Sequence, residues 1–134
     1  VRPIDSYGDD RYFELGETLA DAGRRNVSDI VLLGVKPTRP SESYGYIVPD
    51  AQGAVAADDA VRVASFTEKP SRDVAEELIS AGALWNCGVL AFKLGYIRAV
   101  TARYTEATSY DDLVDSYGEL PKRNLLNAGM YFLI

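Results

Sequence analysis

Histidine is absent from this 134-residue chain, and cysteine, methionine and tryptophan occur once each. Without histidine the commonest general base is missing, along with the serine and cysteine triads that depend on it and most zinc sites. Any chemistry then falls to carboxylates, lysine and tyrosine. A lone Cys87 permits no intrachain disulfide, which fits a reducing, cytoplasmic setting. No apolar run approaches the roughly 18 residues of a membrane span, and no basic-then-apolar leader is visible, so neither membrane insertion nor secretion is expected. Positive charge is also in deficit: 14 Lys and Arg face 20 Asp and Glu, a net charge of -6 that disfavours nucleic acid and anionic membrane surfaces as partners. A small anionic ligand remains open to such a chain, because one local lysine, backbone N–H groups or a metal ion can outweigh the global sign.

A hydrophobic share of 47% beside 25% charged residues is ordinary for one globular domain with its own core, taken here as 1–134. "DDRYFELGETLADAGRRN" places Tyr12, Leu15, Leu19 and Ala22 on one helical face, after Asp9 and Asp10 and before Gly23. "DIVLLGVKP" reads as a strand buried on both faces and closed by Pro37. Tyr44 to Val48 reads as a second strand, followed by a turn through Asp50, Gln52 and Gly53. In "AVRVASFTEKP", Val61, Val63, Ser65 and Thr67 alternate with Arg62, Ala64 and Phe66, a strand ended by Pro70. A helix capped by Ser71, with Val74, Ala75, Leu78 and Ile79 inward and Gly82 at its end, precedes the strand "GVLAFK". Two further helical stretches follow, one carrying Ile97, Val100 and Tyr104 on a stripe and one in "YDDLVDSYGEL". Strands alternating with helices predict an α/β fold with a largely parallel sheet flanked by helices.

Ligands of open α/β sheets collect beyond the carboxyl ends of the strands, and Glu68 with Lys69 stands at such an end. A carboxylate accepts two hydroxyl hydrogens from adjacent sugar carbons, and a neighbouring lysine meets an attached anion. A solvated surface Glu-Lys pair before a proline is the plainer alternative. Asn86 offers a donor and an acceptor on one amide, or else bonds its own backbone in a turn. Gly45, between two tyrosines, allows close approach of the backbone or a positive φ, or marks a bulge in an edge strand. "KPTRP" offers Lys36 and Arg39 to an anion, or its two prolines stiffen a loop. Trp85 reads as a packed cover, and Cys87 as a small buried residue with nothing to activate its thiol.

Taken in order and at these separations, "GVKPTRPSESYGYI", "FTEKP" and "LWNCGVLAF" resemble the sugar nucleotidyltransferases, and among them the mannose-1-phosphate guanylyltransferases. The likeness runs from about residue 1 to about residue 123. It implies a Rossmann-like domain that joins mannose 1-phosphate to GTP and releases pyrophosphate, with Mg²⁺ at the reacting phosphates. Carried over by position, it implies that Gly45 meets the sugar through its backbone, Glu68 holds sugar hydroxyls, and Asn86 binds the mannose. Lys69 would face the sugar phosphate, the one catalytic part it assigns. Asp5 in "VRPIDS" would be the metal ligand, with Ser6 in place of the family's usual His.

The likeness also breaks down in places. The Gly-rich loop that cradles the nucleotide in this family, and the strands that hold guanine, are not among these residues, so GTP would need that part supplied and the chain alone is expected to be inactive. After "ELPK", where the family continues Ser-Phe-Asp-Tyr with a second metal-binding Asp, "RNLLNAGMYFLI" puts Leu126, which cannot bind Mg²⁺. A sheet without its first strands would leave an apolar edge, so homo-oligomerisation or edge-to-edge association is expected.

Overall fold

The computed structural model describes residues 1–3, 10–26, 28–50 and 60–120, together with the backbone of 131–133. Its elements run α1 (Asp10–Arg24), β1 (Ile30–Val35), β2 (Gly45–Pro49), β3 (Val61–Glu68), α2 (Arg72–Ser80), β4 (Leu84–Phe92), α3 (Leu94–Thr101), α4 (Tyr110–Ser116) and β5 (Tyr131–Leu133). The alternating classes make an α/β fold, and among the described residues no helix is long and apolar enough to cross a membrane. The expected turn at Gln52 and Gly53 lies outside the described residues.

The sheet is not largely parallel. Strand order is β1-β4-β2-β3-β5, and only the β1–β5 pairing is parallel; β1 with β4, β4 with β2, β2 with β3 and β3 with β5 are all antiparallel. The reason lies in what a helical crossover controls. The β3-α2-β4 segment does send β3 and β4 in the same direction, as a crossover must, but β2 is inserted between them and bonds to both. Alternation along the chain therefore predicted relative directions and not hydrogen-bonded neighbours. β5 pairs with β1 over Val31, Leu32 and Leu33 and also with β3, which closes the circuit.

Side chains from the two faces of the sheet form separate clusters. Val31 and Leu33 point to the side of α1, where Leu19 and Ala22 are buried against them, and Tyr46 with Trp85 points the same way to meet Ala75, Leu78 and Ile79 of α2. On the opposite face Ile30, Leu32, Ile47 and Leu84 gather Val61, Val63, Phe66 and, from α3, Tyr96 and Ile97. Phe66 joins Val61 and Val63 despite the simple alternation that set them apart, because the β2–β3 register shifts between Val48 and Pro49. An extra residue on β3 resets which face the following side chains take.

Two helix ends depart from their expected chemistry or confirm it. Ser71 occupies the N-cap of α2 in extended conformation without a side-chain capping bond, and Val74 is 40% exposed while Ala75 takes the inward position. A nine-residue helix touches the sheet through one short stripe, Ala75, Leu78 and Ile79, and Val74 falls beside it. Gly82, with φ 83, ends α2 as expected: its N–H donates to the Ile79 carbonyl and the Ala83 N–H to the Leu78 carbonyl, the paired closure a left-handed glycine permits.

α4 is capped at its start by reciprocal bonds between Ser109 and Asp112. The Ser109 hydroxyl, then the Thr108 and Ser109 N–H groups, hold the Asp112 carboxyl below the usual carboxylate range. With the folded value depressed, this contribution to α4 is present above the unfolded carboxylate range, near pH 4, and is lost as pH falls through the lower folded value. Asp112→Ala is expected to reduce amide-exchange protection of α4 at pH 7, with the difference from the parent chain vanishing in strong acid.

Candidate functional site

β2 carries the centre of the site because it lies between β3 and β4. Gly45 is the cross-strand partner of Glu68 on one side and of Asn86 on the other, and Asn86 in turn faces Gly34 on β1. Cross-strand partners project from the same face, so Glu68, Gly45, Asn86 and Gly34 form one row across four strands. The next row on that face is Phe66, Ile47 and Leu84, part of the apolar cluster beneath. The row is thus polar at Glu68 and Asn86 and bordered by an apolar floor.

Glycine at 45 is a spatial necessity. A Cβ there would stand 2.5 Å from Phe66 Cζ and 2.7 Å from Glu68 Oε2, so the aromatic ring and the carboxylate occupy the volume a side chain would claim. The Glu68 carboxylate thus lies over the β2 backbone at Gly45. Asn86 Oδ1 accepts the Gly88 N–H at 3.1 Å, and Gly88, with φ 74, lies where the β1–β4 register slips between Leu32 and Gly34. The backbone-bonding reading of Asn86 is what this contact realises. Its carbonyl holds the bulge, while its Nδ2 donor is bonded to none of the described residues.

Lys69 follows immediately, at the end of β3. Its backbone is left-handed, φ 46, at a general cost of about 1–2 kcal/mol for an L-residue, and its N–H donates to the Tyr44 carbonyl at 3.2 Å. Both Glu68 and Lys69 are exposed, and neither forms an ion pair with the other or with any described residue.

The remaining candidates divide. The Arg39 guanidinium lies over the Trp85 ring, 6.0 Å from its centroid, and Tyr44 packs on the same ring at 4.8 Å. Trp85 also packs against Tyr46 and Ala75 on the face opposite the row, a cover as expected. The Cys87 thiol donates to the Leu33 carbonyl at 3.4 Å, and burial pushes its pKa up, away from thiolate chemistry. Asp5, and Leu126 at the second metal position, lie outside the described residues. Among the described residues no group of three or more Asp, Glu, Cys or His stands together to hold an ion. A cleft of about 520 Å³ between Gly95 and Ala107 is lined by α3 and the segment after it and does not include the row. Sequence reasoning overlooked Phe66 and Tyr44. Phe66 could have been found from its period-two spacing to Glu68, whereas Tyr44 reaches Trp85 only through tertiary packing.

Residues 5–132 match the nucleotidyl transferase family, and the chain belongs to that family. Its relatives include the alginate biosynthesis protein AlgA of Pseudomonas putida, 36% identical over 99 residues that cover 69% of this chain and 19% of that protein. The mannose-1-phosphate guanylyltransferase ManC of Salmonella typhimurium is 38% identical over 82 residues, 57% of this chain and 15% of that protein. Among solved structures, mannose-1-phosphate geranyltransferase from Thermus thermophilus superposes with a TM-score of 0.75 at 28% identity, over 99% of this chain and 43% of that one. The chain spans less than a fifth of the length of these curated relatives.

Gly45→Ala is expected to destabilise the chain by about 1–3 kcal/mol in a denaturant titration, the range for overpacking a closed site, since the Phe66 ring and the Glu68 carboxylate must both move.

Proposed function

We propose that this chain is the sugar-phosphate-binding part of a nucleotidyltransferase domain of the mannose-1-phosphate guanylyltransferase type, whose reaction joins mannose 1-phosphate to GTP and releases pyrophosphate. The observation that carries the reading is the Glu68–Gly45–Asn86 row, with Lys69 directly after Glu68 and both charged groups unpaired among the described residues. Family membership and the likeness to mannose-1-phosphate guanylyltransferases support it.

On this reading the hexose lies along the row. The Glu68 carboxylate accepts hydrogen bonds from hydroxyls on adjacent carbons and the Asn86 Nδ2 donates to another oxygen, while the missing side chain at Gly45 is what leaves room for that carboxylate over β2. Lys69 supplies a point charge to the sugar phosphate. A phosphate oxygen attacks the α-phosphorus of GTP, the bond from that phosphorus to the bridging oxygen breaks, and pyrophosphate departs with the electron pair. Phosphate is already ionised near neutral pH, so the nucleophile needs no general base, and a chain without histidine meets no obstacle. Catalysis rests on bringing two anions together in line, which positioning and positive charge accomplish. The GTP side of the reaction needs residues beyond these, and the chain by itself is a binding unit. Both substrates are charged and water-soluble, which goes with a cytoplasmic setting.

Mannose 1-phosphate is expected to stabilise the chain in a thermal melt and to bind measurably by calorimetry. Glu68→Gln and Lys69→Ala should each weaken that binding by about 1 to 3 kcal/mol, the range for losing a charge-assisted hydrogen bond. Unchanged affinity in both variants would remove the site assignment. Pyrophosphate release from GTP by the unaccompanied chain would show instead that it is a complete catalyst.

A further inference from the structure

Tyr44 is 41% exposed, yet it is tied to the proposed site in two ways. Its ring packs on Trp85, with centroids 4.8 Å apart and planes tilted by 50°, inside the range in which aromatic pairs attract beyond their burial. Its carbonyl accepts the N–H of Lys69 at 3.2 Å, and Lys69 is one of two described non-glycine residues with a positive φ. Covalently, Tyr44 precedes Gly45 and Trp85 precedes Asn86. The Tyr44–Trp85 contact therefore links three of the four residues of the site: Gly45 and Asn86 through the chain, and Lys69 through a hydrogen bond.

The segment before Tyr44 is held as well. The Tyr46 hydroxyl, on a side chain with no exposed surface, accepts the Ser41 N–H at 2.9 Å and donates to the Ser41 carbonyl at 3.1 Å. Arg39 lies over Trp85 and forms no ion pair with the described residues. Loop 36–44 is thus pinned at Ser41 from below and against Trp85 from the side, which fixes the direction of the Tyr44 carbonyl. A left-handed backbone at Lys69 persists only where neighbours hold it, and that carbonyl is the hydrogen-bond partner the structure gives to its N–H.

We infer that Tyr44 is a positioning residue: by stacking on Trp85 it holds the carbonyl that keeps Lys69 in its left-handed turn, and so sets the lysine relative to Asn86 for a sugar phosphate. The inference rests on the sugar-phosphate reading above. Without the ring, the Tyr44 backbone swings and Lys69 relaxes to extended conformation, which redirects its side chain.

The test is calorimetric titration of the 134-residue chain with mannose 1-phosphate, for the parent, Tyr44→Ala, Tyr44→Phe, Lys69→Ala and the Tyr44→Ala/Lys69→Ala pair. Expected are a weakening of about 5- to 20-fold for Tyr44→Ala, an affinity within about twofold of the parent for Tyr44→Phe, and a double variant no weaker than Lys69→Ala alone, because residues acting through one another are not additive. Trp85 is the only tryptophan, so its emission reports the contact directly and should shift in Tyr44→Ala and be retained in Tyr44→Phe. Parent-like affinity in Tyr44→Ala, or losses that multiply in the double variant, would overturn the inference while leaving the sugar-phosphate reading in place. Failure of the parent chain to bind mannose 1-phosphate would overturn that reading, and this inference with it.

Discussion

β2 is hydrogen-bonded on both sides by strands that arrive from the same direction, and almost everything of functional interest depends on that wedge. It makes Gly45 the simultaneous partner of Glu68 and Asn86, residues eighteen positions apart in the chain and joined through α2. One register error on either side would turn a whole strand's side chains to the other face, because strand side chains alternate with a period of two. The apolar row of Phe66, Ile47 and Leu84 enforces the register, since slipping it would expose that row to water. Hydrophobic burial two residues inward is thus what holds the polar row in line.

Charge is organised locally rather than globally. The chain carries a net -6, yet Glu68 and Lys69 at the sheet mouth have no ion-pair partner among the described residues. Exposed ion pairs elsewhere, Arg72 with Glu76 and Lys93 with Asp29, show that available counter-charges are used where geometry allows. The Glu68 carboxylate lies over the glycine backbone at Gly45, and Lys69 takes a left-handed turn that carries a conformational cost.

Much could be read directly from residue order. The buried strand at Ile30–Val35, α1 with Leu19 and Ala22 inward, the glycine stop of α2 at Gly82, the inert Cys87 and the cover role of Trp85 follow from periodicity, capping chemistry and residue type. Strand neighbours did not follow, because a helical crossover dictates the relative direction of the strands it joins and says nothing of a third strand placed between them. The face taken by Phe66 and Glu68 did not follow either, since a single extra residue in β3 inverts the alternation and no residue type in "VRVASFTE" announces it.

Composition and local pattern by themselves determined the α/β class, the absence of histidine from the chain and the inability of a lone Cys87 to form an intrachain disulfide. These are properties of individual residues and their near neighbours. Tertiary structure alone decided that Glu68, Gly45 and Asn86 share a row, that the Asn86 carbonyl is committed to the Gly88 bulge, and that Tyr44 reaches across to Trp85 while its carbonyl holds Lys69. Those are contacts between distant segments, set by strand register and by the volume of a buried ring, and no local preference encodes either.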